Sequence, residues 1–458
     1  MTAGVPEEPS LHPSELSSHA SRDDAWVAVQ GVVYDITAFV ARHPGGNVFG
    51  TMLGTDVTSR FMTSHLVDVS KRLRNAGWRS KMGITRVGTL RASGLIEGTG
   101  RYDRTVLYEW DGDPFRATLY KRVREHLAAE DLPQITRSGP AISIVLIFGA
   151  IAALWTAGMV YGIWWANLFL GYAVAMVGMR IGHPAIHGAF STNRVVRLLS
   201  GYTFDLLGAS RDVWDIEHTN HHYNTNTEHD TDLMHQPLLR LHPNQPRQPH
   251  HRYQHLYVLA LYGMVAFRWF FTSTRDVMKL RLTPTQKAVH LGIQVLPIMF
   301  TMVAPFVFLP VSTALLCLAA YWLSLSYALT MNFAITHTNL ECDYALQVEP
   351  PLPWAEMQVR GSCNWRAGSF FWNFMTGGMN HQVEHHLFPV LDQDHYPRIA
   401  PIVEQTCQEF GIPYRNKRSY REILVSHLAL LRRLGSEDEL GQQWSHVPHE
   451  PGVEAQSA

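Results

Sequence analysis

The stretch Ala141–Met179 reads AISIVLIFGAIAALWTAGMVYGIWWANLFLGYAVAMVGM and holds no charged side chain. A helix needs roughly 20 apolar residues to cross a bilayer core, so this run is long enough to cross twice. It reads as a helical hairpin that enters at Ala141, turns near Tyr161–Ile163 and leaves by Arg180. A second uncharged run, Val289–Met331, repeats the pattern, turning near Pro310 and leaving by Asn332. The mean hydropathy of the 458-residue chain, −0.08, averages these hairpins with long polar segments. A shorter apolar stretch, Leu256–Phe271, carries Arg268 and is expected to lie in or under the membrane interface.

Four crossings put both ends and the large segment between the hairpins on one side. Arg116, Lys121, Arg122, Arg124 and Arg137 precede the first hairpin and Arg180, Arg194 and Arg197 follow it, whereas the turns carry no Lys or Arg. Positive residues stay on the cytoplasmic side, which places the polar segments and their chemistry in the cytosol. The first 25 residues are polar and lack the apolar core of a signal peptide. A net charge of −1 excludes the basic field of a nucleic-acid binder. The four cysteines, Cys317, Cys342, Cys363 and Cys407, form no Cys-x-x-Cys pair, against a disulfide scaffold or thiolate zinc site.

Histidine is the anomaly, at 25 residues. In the N-terminal hundred, strand-like Val27–Ile36 contains a glycine turn, and a short apolar helix ends near Phe39 and Val40 before His43-Pro44-Gly45-Gly46. His65 follows after Phe49, Met52, Leu53, Phe61 and Met62. Two imidazoles facing each other across an apolar slot suit a six-coordinate haem that carries electrons. His-Pro-Gly-Gly alone is a weak motif, with an exposed turn as its plain alternative. The surrounding DDAWVAVQGVVYDITAFVARHPGG (Asp23–Gly46) and GTDVTSRFMTSH (Gly54–His65) closely resemble the cytochrome b5 domain over about residues 9–88. That resemblance implies an α+β haem domain with His43 and His65 as axial ligands of haem b.

The other histidines cluster where the hairpins leave the membrane. His183 and His187 stand four residues apart, as do His218 and His222 with His221 between, and His385-His386 follow Gln382. On a helix, residues three and four apart share a face, so each set can reach one metal or two adjacent ones. Imidazole without thiolate suits iron, copper, zinc or nickel. The ligands exceed one coordination shell, which implies two metals, and single electrons from a haem are of no use to zinc. Iron with O2 acting on an unactivated C–H bond of a bilayer-resident substrate is the reading from chemistry alone.

The boxes HxxxH, HxxHH and QxxHH behind a fused cytochrome b5 domain resemble those of front-end membrane fatty acid desaturases. HGAFS (His187–Ser191), GYTFDLLGAS (Gly201–Ser210), Trp214 and GGMNHQVEHHLFP (Gly377–Pro389) extend the likeness over about residues 9–415. It implies an all-α, multi-pass membrane domain with four transmembrane helices in two hairpins under a cytosolic helical cap. It also implies a histidine-bound di-iron centre that uses O2 to insert a double bond between an existing one and the carboxyl end of an acyl chain. By position, the metal ligands implied are His183, His187, His218, His221, His222, His385 and His386, with His337 in NFAITH as an additional one. Gln382 stays open between a weak ligand and a hydrogen-bond partner of a neighbouring histidine or water. Implied partners are a fatty acyl lipid or acyl-CoA and an external NAD(P)H-dependent reductase, with no nucleic acid. A sphingolipid desaturase or acyl hydroxylase on the same scaffold is the alternative.

Two departures stand out. Pro184 occupies the place of an acidic residue in the first box, and His381 that of an aromatic, where it is read as pocket wall. His229, His235, His242, His250, His251 and His255 are expected to be solvated, and Glu228, Asp230 and Asp232 are candidates to orient ligand imidazoles. The expected organisation is a haem domain at 9–88, a linker at 89–115 with a hinge around Arg91–Gly100, a membrane domain at 116–415 with hairpins at about 141–179 and 289–331, and a disordered tail at 436–458. Only six of 38 basic residues are Lys, a bias of GC-rich genomes. The membrane is the plasma membrane for a bacterial source and the endoplasmic reticulum for a eukaryotic one.

Overall fold

The computed structural model describes residues 9–43, 52–65, 69–90, 113–136, 138–227, 229–234, 238–280, 282–344 and 353–436. They fall into two compact units, one of the residues before Trp110 together with the short segment Leu280–Thr283, and one of the rest from Trp110 on. The His-Pro-Gly-Gly turn beyond His43, nearly all of the expected linker and the expected tail lie outside the described residues.

The first unit is built on a sheet whose centre is a hairpin, Asp24–Val29 against Val32–Asp35. Gln30 and Gly31 join the strands, both with positive φ (50° and 74°), as a two-residue hairpin turn matching strand twist requires. Thr85–Leu90 pairs with Val32–Asp35 and with Ser10–Leu11, so the last strand runs to Leu90, just past the expected limit at 88. Alternating apolar residues bury Ala25, Val27, Val29, Tyr34 and Ile36 with Phe39, Leu53 and Val57. Before His43 the chain makes a 3-10 turn, Val40–Arg42, in place of the end of the expected helix.

In the second unit the first crossing is Ser138–Trp155, widened by a π-helical turn at Thr156–Val160. Pro284–Phe308, passing through another π segment that follows Pro297, and Val311–Ala334 are the apolar helices where the third and fourth crossings were expected. Proline removes one backbone N–H and crowds the preceding turn, which accounts for the widening. Three described helices are long and apolar enough to span a bilayer. The expected second crossing is shorter, Ala166–Met176 continued by the π segment Val177–Gly182. It packs along the fourth crossing, and a Cβ on Gly171 would stand 2.4 Å from the Tyr321 carbonyl. Only glycine allows that approach, a common device of helix pairs in membranes. Val145, Phe169, Phe300, Val307 and Val311 expose apolar surface on the outside of the bundle, while Tyr161, Trp164 and Trp165 ring the first hairpin's turn. Aromatic rings at that level suit the membrane–water boundary.

The stretch read as interfacial forms Gln254–Tyr262 and Val265–Lys279, bent by 78°. Leu256, Met264, Phe267 and Phe271 are exposed on it while Val258, Ala266, Phe270 and Val277 are buried, the pattern of helices lying in an interface. Beyond the boxes, Tyr420–Ser436 buries Ile423, Leu430, Leu431 and Leu434 with Val258 and Tyr262. The second unit therefore runs past 415 to Ser436. That amphipathic helix completes a core whose other half lies far away in sequence.

Candidate metal centre

The first box follows directly from the π segment Val177–Gly182, whose Gly182 lies against the Phe204 ring. Pro184 lies on the short helix His183–Ile186, which continues directly from the π segment, and the box forms despite the departure. The second box lies on Arg211–Asn224. The third occupies Gln382–Leu387, reached through Gly377 and Gly378, both left-handed (φ 62° and 85°). His337 stands just past the fourth crossing.

All eight expected imidazoles converge, in two groups. His183, His187, His218, His222 and His385 place ligand nitrogens within 4.8 Å of one another, and so do His221, His337 and His386. Within the first group the Nε2 atoms approach to 2.9 Å (His183–His218), 3.1 Å (His183–His187), 3.0 Å (His187–His218) and 3.0 Å (His218–His222). Burial and the neighbouring rings push His218, His222, His385 and His386 well below the usual histidine range, holding them neutral as ligands must be. The Nε2 atoms of His385 and His386 and the Oε1 of Gln382 are buried with no hydrogen-bond partner among the described residues. Inward-facing lone pairs that no donor satisfies fit metal cations.

The outward nitrogens are held. His221 Nδ1 donates to both Asp230 oxygens at 3.0 Å, and Asp232 lies 3.7 Å away. Burial lowers His221, but these carboxylates outweigh it and raise it to about 9. His337 Nδ1 donates to the Gly361 carbonyl at 3.0 Å, His386 Nδ1 lies 2.9 Å from Gln358 Oε1, and His385 Nδ1 lies 3.3 Å from the Tyr396 hydroxyl. Such partners fix ring orientation and raise ligand basicity. Gln382 joins the three-imidazole group, its Nε2 2.7 Å from His337 Nε2. Trp214 stacks on His218 at 3.9 Å, with Phe333 also near His183, giving the five-imidazole group an apolar flank.

Of the carboxylates singled out beforehand, Asp230 and Asp232 face His221, and Glu228 lies outside the described residues. Gln358 and Gly361 carried no local signal, standing 28 and 24 residues from their histidines, and Tyr396, 11 residues from His385, was not singled out. His381 lies outside both imidazole groups. Its Nε2 accepts from the Gly368 N–H at 2.8 Å and anchors the preceding loop. The expectation of solvated loop histidines is corrected for His229, His242 and His251, which are buried. Their loop folds onto the Tyr420–Ser436 helix, where buried Arg240 donates to the Gln245, Pro243 and Leu434 carbonyls. Gln245 accepts from the Leu241 and His242 N–H groups and donates to the Leu233 carbonyl, and Gln254 accepts from the Arg240 N–H and donates to its carbonyl, so these polar side chains satisfy the loop's backbone internally. His250 is exposed, His255 half-buried, and His235 lies outside the described residues.

In the first unit, His43 and His65 face each other with ring centroids 6.2 Å apart at 82°. A metal between two imidazoles, bonded at about 2 Å to each, needs roughly that spacing. His65 Nδ1 donates to the Phe61 carbonyl at 2.6 Å, which leaves Nε2 as the nitrogen that could bind a metal.

The comparisons agree with this geometry. Residues 161–418 match the family described as fatty acid desaturase, and residues 12–90 match the cytochrome b5-like haem/steroid binding domain. An acyl-lipid (8-3)-desaturase of Mortierella alpina is 30% identical over 449 residues, covering 92% of this chain and 96% of that protein. One of the same name from Physcomitrium patens is 29% identical over 446 residues (92% and 90%), and a delta(5) fatty acid desaturase A of Dictyostelium discoideum is 29% identical over 460 (93% and 94%). With these matches and its apolar helices, the chain belongs to the fatty acid desaturase family of membrane oxidoreductases and carries a cytochrome b5-like haem domain at its N-terminal end.

Proposed function

We propose that this chain catalyses O2-dependent front-end desaturation of a fatty acyl chain, inserting a double bond between an existing one and the carboxyl end. The observation that carries the reading is the convergence of eight imidazoles, seven buried and His187 half-buried, in groups of five and three beside the apolar helices. His183, His187, His218, His222 and His385 would hold one iron, and His221, His337 and His386, with Gln382 beside them, the other. Iron bound there supplies the activation of O2 and the removal of two hydrogens from adjacent methylene carbons. Those two hydrogens, with two electrons and two protons, take O2 to two waters.

His43 and His65 would hold a haem, which would supply one-electron transfer from an external NAD(P)H-dependent reductase. Asp230 and Gly361 keep the protons of His221 and His337 on Nδ1, so that Nε2 would face the metal. Trp214 and Phe333 give the chain-binding side an apolar wall that excludes water. The names of the relatives favour a lipid ester over a CoA thioester as the acyl carrier. The basic residues flanking the crossings favour a cytosolic position for both redox sites.

Metal analysis of the purified full-length protein tests this reading. The expected result is roughly two irons beyond the haem iron. Finding none would overturn it.

A further inference from the structure

We infer that Arg180 receives the carbonyl oxygen of the substrate's acyl ester, in a pocket where the first box meets the loop after the third. The inference rests on the front-end reading and names how that site grips the carboxyl end of its chain. Arg180 lies in the π segment Val177–Gly182, three residues before His183, and is 2% exposed. With Ser143, Pro184, Phe190, Asp392 and Asp394 it lines a small, partly open pocket. There is room in it for a group about the size of one water. A cation buried at the end of a crossing is costly, and such residues mark the paths of substrates.

The guanidinium is held from three directions. Nε donates to Ser143 Oγ at 3.2 Å, Nη2 donates to Asp394 Oδ1 at 2.8 Å, and Cζ lies 4.4 Å from the centre of the Phe374 ring. The Arg180 carbonyl accepts from Gln393 Nε2 at 3.3 Å, which ties the backbone to the same loop. Nη1 is buried and has no hydrogen-bond partner among the described residues. A clamp between the second crossing and that loop needs Nε and Nη2 and gives Nη1 nothing to do. A buried charged donor left bare is costly, so it marks a place for an acceptor from outside the chain.

The charges around it select the acceptor. Asp394 already balances Arg180, and Asp392 adds a second carboxylate, held by the N–H groups of Thr136 and Asp394 at 3.0 Å each. An anion entering here would meet two carboxylates and one guanidinium, whereas a neutral carbonyl oxygen needs only the N–H. Pro184 and Phe190 bring no polar side chain and suit the methylene beside the carbonyl. The position suits the reaction as well. Pro184 follows His183, and Phe190 stands three residues past His187, both members of the five-imidazole group. A front-end enzyme acts a few bonds from the carboxyl end, so whatever holds the carbonyl has to sit beside the metal ligands.

The test is ligand binding to the full-length chain in detergent, read as the rise in unfolding temperature with added ligand. Three probes share one unsaturated chain: methyl linoleate, linoleyl methyl ether, in which a methylene replaces the carbonyl, and linoleate, the free acid. The wild type is expected to bind the ester about 10-fold more tightly than either of the others, the worth of one hydrogen bond to a charged group. Arg180→Met combined with Asp394→Asn removes the cation together with its counter-charge, and is expected to bind ester and ether alike. Equal binding of ester and ether by the wild type would overturn the inference. So would an acid bound at least as tightly as the ester, or an ester preference kept in the double variant. The wild-type comparison decides by itself if that variant does not fold. The readout is binding, so a chain that prefers the ester and forms no front-end product fails the desaturase reading and leaves this inference standing.

Discussion

His222 and His386 lie face to face, ring centroids 4.1 Å apart and planes within 18°, although they belong to different imidazole groups. The two groups therefore share a wall, so that metals held by the two groups would stand side by side.

Removing a ligand from either side of that wall should leave the haem alone. His386→Ala is expected to abolish conversion and lower the iron-to-haem ratio while the haem absorbance is unchanged. His183→Ala, on the other group, should do the same. Retained conversion in either variant would contradict the ligand assignment.

Asp230 acts on the metal only through His221, whose Nδ1 it meets with both oxygens at 3.0 Å. Asp230→Asn replaces a carboxylate acceptor with an amide. The expected outcome is about 10- to 100-fold weaker iron binding at the three-imidazole site, read by competition with a chelator.

His43→Ala should separate the two redox sites. The haem spectrum is expected to vanish while non-haem iron per chain stays at the wild-type level. A normal haem spectrum in this variant would contradict the axial assignment.

His427 supplies a pH dependence of stability away from the metals. Tyr262 OH donates to its Nε2 at 3.0 Å, and its Nδ1 donates to the Thr338 carbonyl. Burial, only partly offset by the Thr338 contact, lowers it to about 4. The unfolded chain takes up a proton near pH 6.5, which the folded chain refuses until near pH 4. Stability is therefore full above about pH 6.5 and falls as pH drops toward 4, by about 3 kcal/mol from this group. Thermal unfolding in detergent should show His427→Gln losing less stability than the wild type over that interval.

The crossings and boxes were legible because their signals are local. An uncharged run announces a crossing, and His183/His187 or His218/His222 share a helix face by spacing alone. His43 and His65 were found through the motifs around them. The short second crossing was less legible, since its length depends on a π segment before His183. The supporting residues were not legible. Gln358 meets His386 from 28 residues away, and Gly361 meets His337 from 24. Asp230, nine residues from His221, was close enough to be suspected. The burial of His242 and His251 was hidden by the polar composition of their loop, whose cover is a helix about 170 residues further on.

The most direct test of the account is to express the chain in a host fed defined unsaturated fatty acids and to locate double bonds in the recovered lipids by mass spectrometry. The account predicts a product lighter by two hydrogens, with the new double bond between the existing one and the carboxyl end, and no product from His386→Ala. A product heavier by one oxygen, or a new double bond on the methyl side of the existing one, would contradict it.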